Sequence, residues 1–580
     1  MSLRTASLIT QSALRANQTA LGVTAANIAN ADTAGYTAKS ATQAAVSAGQ
    51  GSAGSAVDVT GISRDVDQFV TRQIVAASSS AGAAGTLSDY LAKIETVYGS
   101  VSTGGGDSIA GVINEVTASL ESLASGGSAD EDKAATVTAL VDMAASLTDA
   151  SASLQGYRAQ ADQQIADTVA QANAAIQSIA DLNDSIVQAA AAGRPTADLE
   201  DQREVQLKSL AGLIDVNYSV DSSGRMQVYT TGGSALVTAN AHTLGFTAAA
   251  SMDADTVYSA TPPSDLSGIT LNGQDISRSI SSGSLRSLLD LRDDILVDEQ
   301  TRLDSLASTI IDQVNAVHNS GTSYPPADSL TGTRAVTGGD TLAGSGSFTL
   351  VATSGDTVAA SLSIDLATVS TVQDLVDAIN ADGHFSAGIT AGGKLSIASA
   401  TNGQGIAIDQ GSSAAGGEGV SAYFGLNDLL TGSDASDIAV RRDIVDDPAR
   451  LATATLAGTT AGQRAVSSGD VGTATALADL FSGTSSFASA GGLGARSTSF
   501  SGYAGDIISA ASRSASTASS RADTASSSLS DLTSAFASQS GVSLDEETAA
   551  TQALETAYQA AARVMAALQS MYDELIEMVS

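Results

Sequence analysis

Cysteine is absent from this chain, and so is tryptophan. Without a thiol, disulfides, zinc–thiolate centres and cysteine nucleophiles are excluded. With aromatics at 4% of 580 residues, any large core has to be assembled from Ala, Leu, Ile and Val. That suits close, thin packing of small-residue helices better than one deep globule. Basic side chains are scarce too: 26 Lys and Arg stand against 62 Asp and Glu, a formal charge of -36. Such a field repels nucleic acid and anionic lipid, so no nucleic-acid partner is expected. The three histidines, His242, His318 and His384, lie far apart and show no metal-ligand spacing. Gly104-Gly105-Gly106 is followed by no Gly-Lys-Ser/Thr, so no phosphate loop is formed. No apolar run is long enough to span a bilayer. Residues after Met1-Ser2-Leu3-Arg4-Thr5 lack the apolar stretch of a secretory signal. The expectation is no membrane insertion, no cofactor, no metal and no enzyme, in a protein that stays in the cytoplasm or leaves by a route that reads no cleavable signal.

What is present is concentrated at the two ends. Leu554, Tyr558, Ala561, Met565, Leu568, Tyr572, Leu575 and Val579 keep an unbroken 4,3 spacing, one seam along one long helix. Near the other end Leu14, Leu21 and Ile28 recur every seventh residue in an alanine-rich, proline-free segment. Ser543 and Glu546 are spaced as a capping box, and Asp545, Glu546 and Glu547 favour a helix N-terminus. A helix from there to Val579 is about 54 Å long, too much exposed surface to stand alone. Two terminal seams predict paired ends and an assembly surface.

Between the ends the length allows three or four domains. Residues 3 to 30 read as helix, stopped by the turn chemistry of Asn27 to Tyr36. A Ser, Ala and Gly-rich extended stretch reaches about Ile62. A helix follows from Asp65 to about Tyr98, with Phe69, Ile74, Val75, Leu87, Leu91 and Ile94 on its spacing, and then a Gly99 to Gly106 break. Ile109 to Ala192 is helical with interruptions at Gly126-Gly127 and near Gly156. Its stripe is Ile165, Val169, Ala172, Ile176, Ile179, Asn183, Ile186 and Val187. Gly193-Arg194-Pro195 ends it, and Thr196 or Asp198 caps a helix over Leu199 to Leu213. Alternation at Val216, Tyr218 and Val220, a turn, then Met226, Val228 and Tyr229 predict a hairpin. Leu285 to Val314 returns to helix. Tyr324-Pro325-Pro326 opens an insertion holding two strands over Ser347 to Ile364, a helix over Val372 to Ile379 and an extended stretch over Ile389 to Ile397. Helix resumes around Asp446 to Phe481 and again over Tyr503 to Phe536.

The fold class that follows is mainly α: an elongated multidomain rod with long paired terminal and central helices carrying inserted β-rich and α+β domains. Its parts are residues 1–45 pairing with 543–580, a helical rod domain over 46–214, a small β-rich domain over 215–283, a returning helix over 284–320, an inserted α+β outer domain over 321–445, and a second helical rod domain over 446–542.

Chemical readings meet plainer ones. The Asp545 to Glu547 cluster is explained by helix capping, and Asp290, Arg292, Asp293 and Asp294 by salt bridges on a bundle surface. His318 is most simply a helix-end residue. Tyr558 and Tyr572 suit either a core or a subunit interface, where aromatics act as rigid anchors.

The order Ser12 to Tyr36, with Ala26-Asn27-Ile28-Ala29-Asn30 and Gly35-Tyr36, closely resembles the N-terminal signature of the flagellar rod, hook and hook-associated axial proteins. Ala34 stands where that family commonly has proline. Three further segments point to its hook-associated members: Asp198-Leu199-Glu200-Asp201-Gln202-Arg203, the Gly283 to Gly321 run, and Ser540 to Glu547 with Tyr558 to Val564. The resemblance implies a structural subunit that joins hook to filament, exported by the flagellar type III apparatus to the cell exterior. Its implied partners are copies of itself in a ring of about eleven, the hook protein, a second junction protein or filament subunit, and an export chaperone. The assembly residues expected on this reading are Leu14, Leu21, Asn27, Ile28, Asn30, Leu554, Tyr558, Met565, Leu568, Tyr572 and Leu575. Other readings are a hook- or filament-type axial subunit, or a surface adhesin with 321–445 as its binding module.

Overall fold

The computed structural model describes residues 3–47, 55–99, 108–126, 129–259 and 264–579. Helix α1 covers Leu3–Ala29 and is followed by strands β1, Lys39–Ser47, and β2, Ser55–Arg64, which pair antiparallel. Helices α2, Gln68–Tyr98, α3, Ile109–Ser125, α4, Asp130–Ala191, and α5, Ala197–Leu213, come next. Strands β3, Val216–Val220, β4, Met226–Thr230, and β5, Ala235–Val237, form an antiparallel sheet in that order. Helix α6, Ser284–Asp290, continues through a π-turn at Leu291–Ile295 into α7, Leu296–His318. After an α+β portion with α8, Val372–Asp382, and the short helices α9, Val420–Phe424, and α10, Arg442–Asp446, the chain ends in α11, Gly472–Ser482, α12, Phe500–Ser540, and α13, Leu544–Val579. The mainly α class with interposed β-rich and α+β portions is what the chain adopts. Two compact units share it: Met1–Tyr90, Ala159–Asp293 and Ser516–Ser580 in the first, Leu91–Arg158 and Asp294–Ala515 in the second. No helix among the described residues is long and apolar enough to cross a membrane.

One expectation lies outside the described residues and two change. The Gly99 to Gly106 break falls, beyond Gly99, outside the described residues, as does Gly127. The break near Gly156 does not occur, because α4 is one helix of 62 residues. A helical glycine costs about 1 kcal/mol, less than the burial of Leu147, Ala150, Leu154, Ala161 and Ile165 on either side of it. A Cβ at Gly156 meets nothing within 4 Å. Gly156→Ala should therefore raise stability by about 0.5–1 kcal/mol, read as a higher denaturation midpoint at unchanged slope. Third, the helix expected over Asp446 to Phe481 forms only as α11. Pro448 blocks it, and Ala452–Ala454 pairs with Thr322–Ser323 as a strand instead. Along α2, Phe69 is 67% exposed, while the buried positions are Val70, Ile74 and Val75.

In the first unit the α4 stripe is buried from Ile165 to Ile186, and two asparagines on α4 fasten the β-rich part to it. Asn183 donates to the Met226 carbonyl at 2.7 Å and accepts from the Met226 N–H at 2.8 Å. Asn173 holds Leu244 by the same two-way pairing, at 2.9 and 2.7 Å. Arg292, placed by charge pattern on a bundle surface, is instead fully buried. The π-turn carries it inward, where it donates to Asp162 at 2.7 Å, to Asp293 at 2.7 and 3.0 Å, and to the Ser267 carbonyl at 3.0 Å. Burial alone would lower its pKa, but Asp293 and Asp162 hold it above the ordinary value.

In the second unit α3 and α7 pack on α11. The α+β portion has two three-stranded antiparallel sheets. Ser347–Ser354 is central between Thr357–Asp365 and Gly405–Asp409, and Lys394–Ser399 between Ser329–Ala335 and Phe385–Ile389. Helix α8 has a complete capping box from Thr371 and Asp374 and ends at Gly383, φ 81°. Its Val372, Leu375 and Ile379 bury against Phe348, Phe385 and Ile397.

His318 does more than end α7. Fully buried, it donates from Nδ1 to the Asn427 carbonyl at 2.5 Å and accepts at Nε2 from the Ala452 N–H at 2.9 Å. Those two partners fix the neutral tautomer, and burial lowers its pKa to about 4. The unfolded chain, with an ordinary value near 6.5, takes up a proton that the folded chain refuses between those limits. The contribution is thus fully present above pH 6.5 and lost as pH falls toward 4, by about 3 kcal/mol in all. Glutamine can keep both bonds without titrating. His318→Gln should therefore melt with a flatter pH dependence than the parent between pH 6.5 and 4.5, and parallel curves would refute the assignment.

Candidate functional site

The two terminal helices lie against each other. Ser7 Oγ donates to Met565 Sδ at 3.8 Å, and Asn27 Nδ2 donates to Glu547 Oε1 at 2.7 Å. Low numbers therefore face high ones, and α1 and α13 run antiparallel. Helix α1 turns a stripe of small and polar residues inward, with Thr10, Ala16, Val23, Thr24 and Asn27 buried, and short side chains let the axes approach. The heptad positions sit at the edge of this stripe: Leu14 and Leu21 are half-buried, and Ile28 is 39% exposed. Asn30 is half-buried and caps the helix end, donating to the Ala26 carbonyl at 2.9 Å. On α13, Leu568 is buried, and Leu554, Met565 and Tyr572 are half-buried. Tyr558 is 39% and Leu575 43% exposed, and the Val579 side chain lies outside the described set. At the start of α13 the Glu546 N–H donates to Ser543 Oγ at 3.4 Å, the Ser543 arm of the capping box.

A buried polar site of the first unit lies where α1 ends. Asn27 is 0% exposed and all its hydrogen-bonding capacity is used. Nδ2 donates to the Lys39 carbonyl at 2.8 Å and to Glu547, while Oδ1 accepts from the Lys39 N–H at 3.1 Å and the Tyr36 hydroxyl at 2.9 Å. One side chain thus joins α1, the turn, β1 and α13. Gly35 makes the turn at φ 80°, and a Cβ there would run into Val205 of α5, so conformation and space both require glycine.

A charged layer lies beneath. Lys39 Nζ bonds Asp198 at 2.8 Å and Asp201 at 2.9 Å and sits 3.3 Å from the Tyr36 ring centre. Burial lowers its pKa, but the bonds to Asp198 and Asp201 leave it above the ordinary lysine value. Burial raises that of Tyr36. Thr37 donates to Asp201 from both N–H and hydroxyl, at 3.2 and 2.7 Å. Arg64, at the end of β2, meets Glu200, Asp201 and Glu204 at 2.9 to 3.0 Å. The Ala38 N–H donates to the Ser540 carbonyl at 2.8 Å, tying the α12–α13 corner to the same turn. Just before that corner Phe536 packs on Val70 and Ile74 of α2, with Lys208 4.1 Å from its ring centre.

With Asn27 saturated and Lys39 and Arg64 held by carboxylates, this arrangement fastens the chain ends. Among the described residues no three His, Asp or Glu are grouped to hold a metal. The turn chemistry of Asn27 to Tyr36 singled out Asn27 but not its partners Lys39 and Glu547, nor Arg64 in the layer beneath, which periodicity does not connect. The one available signal was the cluster of shared segments, Asn27 to Tyr36, Asp198 to Arg203 and Ser540 to Glu547, which the fold brings to a single place.

Comparison with known proteins finds likenesses in two stretches of the chain. Residues 91–330 match the flagellar hook-associated protein FlgK helical domain, and residues 8–37 match the flagella basal body rod protein family. Over these two stretches the chain is similar to flagellar axial proteins, and over residues 91–330 to the hook-associated protein FlgK. Flagellar hook-associated protein 1 of Salmonella typhimurium is 27% identical over 319 residues, covering 53% of this chain and 56% of the relative, and that of Escherichia coli K12 gives the same figures. The chain thus spans little more than half the length of these FlgK relatives. The flagellar hook junction protein FlgK from Burkholderia pseudomallei is a solved structure with 19% identity and a TM-score of 0.48, over 80% of this chain and 99% of that one.

Proposed function

We propose that this chain is a structural, non-catalytic subunit of the bacterial flagellum that stands outside the cell between hook and filament. The observation that carries the reading is the α1–α13 pair. It is closed at one end by the Asn27 knot, yet Tyr558, Val564, Met571, Leu575, Ile576 and Met578 of α13 stay 39 to 78% exposed. Large apolar side chains along one helix mark a surface awaiting a partner. Neighbouring copies in a closed ring supply it, with the hook protein below and a second junction protein or filament subunit above. A chaperone covering the same apolar helix before export fits the surface equally. Of the expected assembly residues, Leu568 is buried and Leu14, Leu21 and Tyr572 are half-buried, while Tyr558 and Leu575 are exposed.

Deletion of the gene tests the reading. Hooks ending bare, with filament subunits shed into the medium and filaments restored by the intact gene, are expected. Normal filaments on the deletion strain would refute it. Loss of the hook itself, or thousands of copies per flagellum, would indicate a different axial subunit.

A further inference from the structure

Between the outward face of α1, the β1–β2 hairpin and the turn after α4 lies an open groove of about 900 Å³. Leu8 of α1 and Val46 of β1 line it, 49% and 40% exposed. Arg15 and Arg194 also line it, both exposed, and neither guanidinium has a partner among the described residues. Among the described residues that line it, Asp58 is the one carboxylate. In a chain of formal charge -36, this is a small positive, part-apolar island. The end of α13 has the complementary character: Met571, Leu575, Ile576 and Met578 are 43 to 78% exposed beside the exposed carboxylates Asp573 and Glu574.

We infer that the groove receives the end of α13, residues 571–578, from a second copy of this chain. Its apolar side chains meet Leu8 and Val46, and its carboxylates meet Arg15 and Arg194. The inference rests on the assembly reading above and adds the surface, the segment and the polarity of the contact. The end of a chain's own α13 does not reach its own groove. Ser7 is level with Met565, so along the antiparallel pair Met578 stands about 20 Å to one side and Thr19 about 18 Å to the other. The contact is therefore between copies and heterologous, tip to groove, the kind that closes a ring or runs into a helix. Opposite charge at its rim sets register and encounter rate.

The absence of cysteine makes a direct test available. Thr19→Cys and Met578→Cys are introduced together into the full-length protein, which replaces the wild type in cells bearing hooks, and mild oxidation follows. Within one copy the two thiols are separated by roughly 37 Å, far beyond disulfide reach, so covalent trimers and larger species, with no dimer from Thr19→Cys alone, report tip-to-groove contact. The expected result is a ladder that neither single variant gives, reduced at least tenfold by Arg15→Glu with Arg194→Glu and restored when Asp573→Lys and Glu574→Lys are added. Gln11→Cys with Met578→Cys is a second pair should the first fail to support filaments. Filaments present with no ladder, or with dimers only as Met578→Cys alone can give, would overturn the groove while leaving the junction role intact. Normal filaments on the deletion strain would remove the role itself.

Discussion

Leu568→Asp should leave a soluble protein whose second unit melts as in the parent but whose hooks carry no filament. Leu568 is the most deeply buried large side chain of α13, 9% exposed, one helical turn from Met565, which touches Ser7 of α1. Replacing it forfeits about 1.5–3 kcal/mol of apolar burial. It also sets a short carboxylate, unable to reach water as a longer side chain would, against a stripe of small side chains. The α1–α13 contact has little else to hold it along this stretch, since most α13 residues are exposed on their outer sides. Opening should be local: helical circular dichroism falls by the share of the two terminal helices, and the second unit keeps its cooperative melt. Leu568→Met, close in volume, should cost under about 1.5 kcal/mol and still support filaments. If Leu568→Asp assembled normally, the paired ends would not be the assembly element.

That α13 could be read from sequence at all follows from its regularity. A 4,3 seam of eight positions behind a Ser543 cap states a long helix through local rules alone, and the structure has that helix at 36 residues. Helix α8 is similar, because a capping box and a terminal glycine bracket it. Legibility failed where the outcome depends on distant partners. The alternation of β1 is too weak to announce a pairing with β2. The π-turn that buries Arg292 leaves no mark in the charge pattern, so a run of four charged residues read as surface. Gly156 read as a break because the penalty of glycine is local, whereas the burial that overrides it is tertiary. On α1 the heptad of Leu14, Leu21 and Ile28 was visible because its residues are large. The face actually buried holds Thr10, Ala16, Val23, Thr24 and Asn27, whose small size is what lets the helices close and is also what hides them from a hydrophobicity count. The polar knot was least legible, since Asn27 and Glu547 are 520 positions apart and only shared segments hinted that they meet.

The knot yields the second large effect. Asn27→Asp preserves shape and should nevertheless separate the chain ends. The donor that faces the Lys39 carbonyl and Glu547 Oε1 at 2.8 and 2.7 Å becomes an oxygen, so one new charge meets a carbonyl and a carboxylate where almost no water enters. Each buried bond lost in this way costs about 1–3 kcal/mol, more beside a charge, and a total near 4–5 kcal/mol belongs to the most damaging single substitutions. Lys39 does not relieve it, because its ammonium is already held by Asp198 and Asp201. Adding Glu547→Gln to Asn27→Asp supplies an amide that donates to the new carboxylate, and should return about 1–2 kcal/mol and part of the filament growth. By itself Glu547→Gln should be mild, since its amide oxygen still accepts from Asn27. The coupling energy of this double-mutant cycle, measured by denaturation of the first unit, is the check. A value near zero would mean that Asn27 and Glu547 do not share the bond that closes the two ends.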